Sequence, residues 1–166
     1  ALLVFAALFA PYITPYPEDA RFGINFSEKL KEPSLEHLFG ADALGRDIFT
    51  RVVFGARMTL KICITVITIS LLIGVPLGLI AGFEGGWIDE VIMRITDMFL
   101  AFPALLLPIA IAAALGASIM NAMIAIAISW FPWYVRLVRA QVLTVKEELY
   151  VESARSIGVS RRVIIF

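Results

Sequence analysis

The sequence predicts an all-α, polytopic membrane protein: a bundle of transmembrane helices with an external loop segment and a short cytosolic helix. Three observations carry that expectation. The 166 residues are 60% hydrophobic, with a mean hydropathy of +0.90, where ordinary soluble domains are about 45–50% apolar. Two long stretches, Ile62–Phe83 and Met98–Val135, carry no charge at all. The charged residues, 17% of the chain, gather in the segments between and around them.

Ala1–Tyr12 is almost wholly apolar but shorter than the roughly 20 residues that cross a bilayer core. Residues 1–12 are therefore expected to be part of a first transmembrane helix. The stretch lacks the Met and the basic start of a secretory signal. Pro11, Pro15 and Pro17 are expected to end the helix, and Tyr12 and Tyr16 suit a membrane–water interface. Residues 13–61 are expected to form an external loop segment and the lead-in to the second helix. From Thr14 to Lys61 there are seven acidic and seven basic residues. His37 has no Cys or second His nearby, which argues for a loop histidine and against a metal ligand. Asp42, Gly45, Arg46 and Asp47 lack the ligand density of a calcium loop and fit a turn with local ion pairs.

Residues 62–83 are expected to span the membrane, because 22 residues at about 1.5 Å each cover a core of about 30 Å. Gly74, Gly78 and Gly82 recur every fourth position, which lets a neighbouring helix come close. Pro76 is expected to kink this helix. Cys63, the sole cysteine, is expected to be a small buried hydrophobe. Residues 84–97 read as a turn and a helix start: Gly85 and Gly86 permit a reversal and Trp87 suits an interface. Arg94 and Asp97, three apart, are expected to pair. Asp97 is also a candidate for a translocation path, since an acid at a span's end is either an anchor or a functional group.

Met98–Val135 is 38 residues long, about 57 Å as one straight helix, which is too long for one crossing. Two spans are expected, residues 98–115 and 122–138, joined by an external turn over 116–121 at Gly116-Ala117-Ser118 and Asn121. Ala101-Phe102-Pro103 and Pro108 are expected to bend the first arm. Trp130, Phe131, Pro132, Trp133 and Tyr134 read as an interfacial aromatic belt, with substrate stacking as the alternative. Phe102 and Trp130 join Asp97 as candidate path residues. From Arg136 to Phe166 there are six basic and three acidic residues, so residues 139–166 are assigned to the cytosol. Counting back makes 84–97 cytosolic and 13–61 external.

The final segment holds good helix formers from Lys146 to Ile157. Gly158 can end that helix in the left-handed conformation, and Ser160 can cap a second one starting at Arg161. Val151, Ala154 and Ile157 would share an apolar stripe, with Glu152 and Arg155 toward another face. The zero net charge argues against nucleic acid as a partner. There is no Ser/His/Asp arrangement, metal-ligand cluster or phosphate-binding Gly-Lys-Ser/Thr loop, so neither catalysis nor a cofactor is expected in this chain.

Glu152-Ser153-Ala154, three residues, then Gly158 resembles the EAA loop of ABC-importer permeases, with Ser153 in place of the first Ala. Phe39-Gly40-x-Asp42-x-x-Gly45-Arg46-Asp47, followed by Arg51 and Gly55-Ala56-Arg57, resembles the signature of one group of these permeases. They are the second membrane subunits of peptide and nickel importers, which usually have Thr where Ala41 stands. Gly85-Gly86-Trp87-x-Asp89 is similar to the same group. The resemblance implies a permease of the ABC type I importer kind in a prokaryotic cell membrane. It implies a coupling helix involving Tyr150, Val151, Glu152, Ser153, Ala154, Arg155, Ile157 and Gly158, seated in a groove of an ATPase subunit. Gly40, Asp42, Gly45, Arg46, Asp47 and Arg57 carry the family signature, which the resemblance places at the outer face. The implied partners are a second permease, two ATPase subunits that bind ATP and magnesium, an external substrate-binding protein and the lipid bilayer. Peptides, nickel or other small solutes are the implied cargo, and two further transmembrane helices are expected beyond Phe166. The alternatives are an ion-coupled secondary carrier, for which only Asp97 is available, and a membrane scaffold without transport.

Overall fold

A computed structural model describes residues 2–20, 23–160, 163 and 164. Its helices, in chain order, are α1 (Leu2–Ile13), α2 (Ile48–Glu84), α3 (Gly86–Leu100), α4 (Leu106–Leu115), α5 (Ile119–Val145) and α6 (Leu149–Ser156). Short 3-10 turns lie at Pro17–Ala20 and Phe26–Glu28. The chain divides into two compact units, Ala1–Ile64 and Thr65–Phe166. Among the described helices, α2 and α5 are long and apolar enough to cross a membrane.

In the first unit α1 runs through Pro11 to Ile13, one residue past the expected bound of residues 1–12. Proline has no N–H, so the carbonyl four residues earlier loses its helical donor. That carbonyl belongs to Ala7, and Arg57 Nε donates to it at 2.5 Å, while Arg57 Nη2 reaches the Leu8 carbonyl at 3.3 Å. The signature residue Arg57 thus stabilises the proline-interrupted turn of α1. The second helix starts at Ile48, well before the expected Ile62. Asp47 explains the early start: its carboxylate accepts the Thr50 N–H at 2.7 Å, an N-cap that satisfies one of the helix's free donors.

The segment between α1 and α2 is tied by polar contacts rather than by a large core. Asp42 accepts the Leu44 and Arg46 N–H groups at 2.8 and 3.0 Å. Its other oxygen takes the guanidinium groups of Arg46 and Arg51. Burial opposes ionisation of Asp42, but these donors outweigh it and hold the carboxyl well below the usual range. The expected turn with local ion pairs is present, and its carboxylate is already occupied by donors. Gly40 and Gly45 both have φ near +75°. A Cβ on Gly45 would lie 1.7 Å from the Asn25 carbonyl oxygen, and one on Gly40 would lie 2.6 Å from that of Lys31.

His37 is more than a loop histidine. It is 3% exposed, stacked on Tyr16, and placed between two carboxylates. Nδ1 lies 3.0 Å from Asp47 Oδ1, and Nε2 contacts Glu28. Two carboxylate neighbours require both ring nitrogens to donate, which favours the imidazolium. Glu28 first, against burial, and then Asp47 raise the His37 pKa above its ordinary 6.5. On its other side Asp47 donates its backbone N–H to Asp19 Oδ2 at 2.9 Å.

In the second unit α5 is the central element, with Met123, Ala125, Ala127, Phe131, Pro132 and Val135 buried. It runs parallel to the charge-free half of α2. Ser70 donates to the Ala127 carbonyl at 3.1 Å, and the three spaced glycines follow. A Cβ on Gly74 would lie 2.6 Å from Tyr134 Cβ, one on Gly78 2.7 Å from Val138 Cβ, and one on Gly82 2.7 Å from Val142 Cβ. Only glycine permits this approach at all three positions. The helix continues through Pro76 to Glu84. Cys63 is exposed rather than buried; it precedes the glycine-lined contact.

Gly85 and Gly86, with φ of 66° and 56°, make the expected reversal into α3. The expected single span 98–115 is instead two helices, with an irregular link over residues 101–105. Pro103 lies in that link, whereas Pro108 fits inside the first turn of α4, where N–H groups lack helical partners anyway. The turn before α5 is shorter than expected. Ser118 accepts the Asn121 N–H at 3.0 Å as an N-cap, and Asn121 donates to the Leu115 and Gly116 carbonyls at 2.7 and 3.0 Å. Helix α5 therefore starts at Ile119, inside the span assigned to the turn.

In detergent melting of the whole protein, Gly78→Leu is expected to cost about 1–3 kcal/mol by forcing α2 and α5 apart. Gly55→Ala, at a position with nothing within 4 Å, should leave the midpoint unchanged or slightly higher. The raised His37 pKa gives the loop a stabilisation that is complete below about pH 6.5 and is lost as pH rises through the folded value. Limited proteolysis of the 14–47 segment should accelerate on that upward pH change. His37→Gln should make cleavage faster and remove this pH dependence.

Candidate functional site

Two places in the second unit gather the sequence-selected residues. The first is α6. The helix expected from Lys146 to Ile157 is interrupted: α5 ends at Val145 and α6 starts at Leu149. Lys146 turns back, and its Nζ donates to the Gly82 carbonyl in the last turn of α2 at 3.2 Å. Val151 is buried in an apolar groove of about 370 Å³ with Phe83, Val138, Val142, Val145 and Ile164. Arg155 lies over the Phe83 ring, 5.1 Å from its centroid. Ser153 and Ser156 bond back to the Leu149 and Glu152 carbonyls at 2.7 and 3.0 Å.

Gly158, at φ +81°, ends α6. Its N–H donates to Arg155 O at 3.0 Å and the Val159 N–H donates to Ala154 O at 3.1 Å, the two bonds of a Schellman stop. Ser160 O accepts from Val163 and Ile164; Arg161, the expected start of a further helix, lies outside the described residues. The expected apolar stripe is shorter than its spacing implied. Val151 is buried and Ala154 half-buried, but Ile157 is 80% exposed because it caps the helix. Leu149, Tyr150, Glu152 and Ser153 are exposed too. α6 is therefore held by one face and leaves a mixed apolar and charged face uncovered.

The second place is the α3–α5 pair. These helices run antiparallel, with Phe99 edge-on to Phe131 at 5.1 Å between centroids. The expected Arg94–Asp97 pair does not form. Arg94 bonds Glu90 at 3.0 Å, one helical turn back, and Asp97 bonds Arg136 on α5 at 2.7 Å. Asp89 holds Arg139 through two bonds of 2.5 Å. Phe102 and Trp130 come together as walls of a cavity of about 470 Å³, with Phe99, Leu107, Ser129 and Trp133. Asp97 is not among the lining residues; it sits about one turn before Leu100, which is.

The α2–α5 register changes the reading of the aromatic cluster. Residues 130–134 lie level with Ser70–Gly74, the middle of the charge-free run of α2, and not with its end. An interfacial belt does not describe that level. Arg136 escaped notice because, in one dimension, it is simply the first cation after an apolar stretch. The available clue was that Asp97 and Arg136 bracket one charge-free run, Met98–Val135. A hairpin brings the two ends of such a run together.

Residues 74–166 match the family described as binding-protein-dependent transport system inner membrane component. The chain is 48% identical over 165 residues to the dipeptide transport system permease protein DppC of Alkalihalophilus pseudofirmus, covering 98% of this chain and 53% of that protein. It is 42% identical to the glutathione transport system permease protein GsiD of Pectobacterium atrosepticum, covering 99% and 54%. It is 46% identical to GsiD of Escherichia coli, again covering 99% and 54%. The chain spans about half the length of the curated relatives it matches. Because the family match takes in more than half of its residues and these identities extend along nearly all of it, the chain belongs to the family of binding-protein-dependent transport system inner membrane components.

Proposed function

We propose that this chain is part of a transmembrane permease subunit of an ATP-driven importer of peptides, resident in the cell membrane as a multi-pass protein. The observation that carries the reading is the uncovered face of α6. Leu149 and Tyr150 are 78% and 64% exposed beside Glu152 and Ile157 on a helix otherwise anchored to α2 and α5. Such a short, firmly seated helix with an exposed apolar and charged face suits docking into a groove of a motor subunit. ATP and magnesium would be bound by two ATPase partners, and no catalytic role is assigned to this chain. A second permease would complete the path, and an external binding protein would deliver the cargo.

The peptide assignment draws on the relatives, which are named as dipeptide and glutathione transport permeases. Nickel or another small solute remains the other cargo for this group. Motor closure would push α6, and α6 bears on α5 and the end of α2 through Val151, Arg155 and Lys146. Asp97, Phe102 and Trp130 are the residues assigned to the path. The signature residues Gly40, Asp42, Gly45, Arg46, Asp47 and Arg57 act in this reading by holding the external segment, as their contacts suggest. An ion-coupled carrier is disfavoured because Asp97, its only candidate acid, is already engaged with Arg136.

Tyr150→Asp with Ile157→Asp on the exposed face of α6 should lower ATPase recovery in mild-detergent purification at least tenfold, with the permease itself still folded. Gly158→Val places a β-branched residue at φ +81°, a conformation such residues avoid. It should leave ATP hydrolysis largely intact but reduce peptide uptake per ATP several-fold. Unchanged recovery in the first variant and unchanged uptake in the second would sink the coupling role of α6.

A further inference from the structure

We propose that Asp97 and Arg136, together with the aromatic cavity beside them, form a binding site for zwitterionic peptides on the translocation path. The proposal rests on the peptide-importer reading and adds to it the groups that contact the cargo.

Depth is the first argument. Gly74, Gly78 and Gly82 meet α5 at Tyr134, Val138 and Val142, so Arg136 stands level with about Pro76. That is about seven residues, or about 10 Å, inside Phe83 at the end of the charge-free run. Asp97 is bonded to Arg136 at 2.7 Å and shares its level. Arg or Asp facing acyl chains within a membrane span is costly. Yet the Asp97 and Arg136 side chains are 56% and 47% exposed in this chain. Charged groups at such a level belong against a water-filled path rather than lipid. The neighbouring Asp89–Arg139 pair differs: it lies one turn nearer the end, is 16% and 30% exposed, and is held by two short bonds. That pair is a clamp between helices.

The second argument is continuity. Ser129, Trp133 and Arg136 follow one another on a single face of α5, and Asp97 and Leu100 do the same on α3. The ion pair therefore lies about one turn beyond Trp133 and Leu100, on the helix faces that line the cavity walled by Phe102, Trp130 and Trp133. The irregular link between α3 and α4 forms another side. Broken helices at membrane depth occur where the backbone lines a cavity or a transported solute. From Ser129 to Arg136 is about 10 Å along the helix, the length of an extended chain of about three residues.

Chemistry supplies the third. The planar fork of Arg136 suits a terminal carboxylate, Asp97 suits a terminal ammonium, and the cavity suits an apolar side chain. Without cargo each charge neutralises the other. A zwitterion exchanges that one ion pair for two, so no charge is stranded at any stage of entry.

The test uses the complete importer in proteoliposomes, with its partner permease, ATPases and binding protein. Uptake of a zwitterionic dipeptide is measured beside the ATP hydrolysis stimulated by loaded binding protein. Asp97→Asn and Arg136→Gln are each expected to lower uptake at least tenfold while stimulated hydrolysis stays within about twofold of wild type. The exchanged pair, Asp97→Arg with Arg136→Asp, is expected to remain as poor as the single variants, because it presents the two charges in reverse order. Rescue by the exchanged pair would make the bridge purely structural and overturn the proposal, as would normal uptake in the single variants. Loss of stimulated hydrolysis in assembled complexes would also overturn it, since the pair would then act on coupling. Should Arg136→Gln not assemble, Arg136→Lys keeps the charge without the fork; it is expected to raise the half-saturating peptide concentration several-fold, and an unchanged value overturns the site. A wild-type complex that hydrolyses ATP but imports no dipeptide would overturn the peptide reading itself, and this site with it.

Discussion

The close approach of α5 to α2 along Gly74, Gly78 and Gly82 sets the terms for the rest of the second unit. Inside a bilayer, lipid is as apolar as leucine, so burying apolar surface gives two helices little reason to associate. Contact between backbones, with many small dispersion gains, has to supply it. A side chain at any of the three glycines would meet a Cβ of α5 within 2.6–2.7 Å, which makes the register between the helices specific. That register fixes the level of every group on α5. It puts Trp130 and Trp133 opposite the middle of α2 and leaves Arg139 near its end. It also sets Val142 and Val145 where Val151 of α6 can pack on them.

The first unit is held by different physics. Its connecting segment buries few large side chains, and polar networks take over. Asp47 is fully buried and serves three neighbours at once: it caps α2 through Thr50, receives His37, and donates its own N–H to Asp19. Losing the carboxylate would strand two partners, the Thr50 N–H and His37 Nδ1, each costing about 1–3 kcal/mol as an unsatisfied buried group. Arg57 repairs the gap that Pro11 opens in α1. The signature residues of this segment are thus explained by the contacts they make in the folded chain.

Helix α5 connects the two candidate sites. It is continuous from Ile119 to Val145, so the groove that receives Val151 and the cavity lined by Trp130 and Trp133 are parts of one rod. Asp89 ties α3 to the same rod through Arg139. Helix α6 packs through Val151 on the same helix that carries Arg136.

The sequence by itself determined the helical class, the charge-free runs, the reversals at Gly85-Gly86 and Gly116, and the stop at Gly158. These follow from local chemistry: hydropathy over a span, glycine at positive φ, and a capping hydroxyl or amide within a few residues. It also exposed the segment around Glu152–Gly158 and the signature around Asp42–Arg57, because those patterns are contiguous. Spacing alone misassigned what depends on distant residues. The early start of α2 depends on Asp47, itself ordered by His37 and Asp19. Asp97 passes over Arg94, three residues away, for Arg136, thirty-nine residues away, because the antiparallel packing of α3 on α5 brings that guanidinium closer in the right direction. The depth of the aromatic cluster was likewise decided only by tertiary structure. A chain position says how far a residue is from the end of its own helix; only a neighbouring helix in fixed register says how far it is from the end of the membrane run.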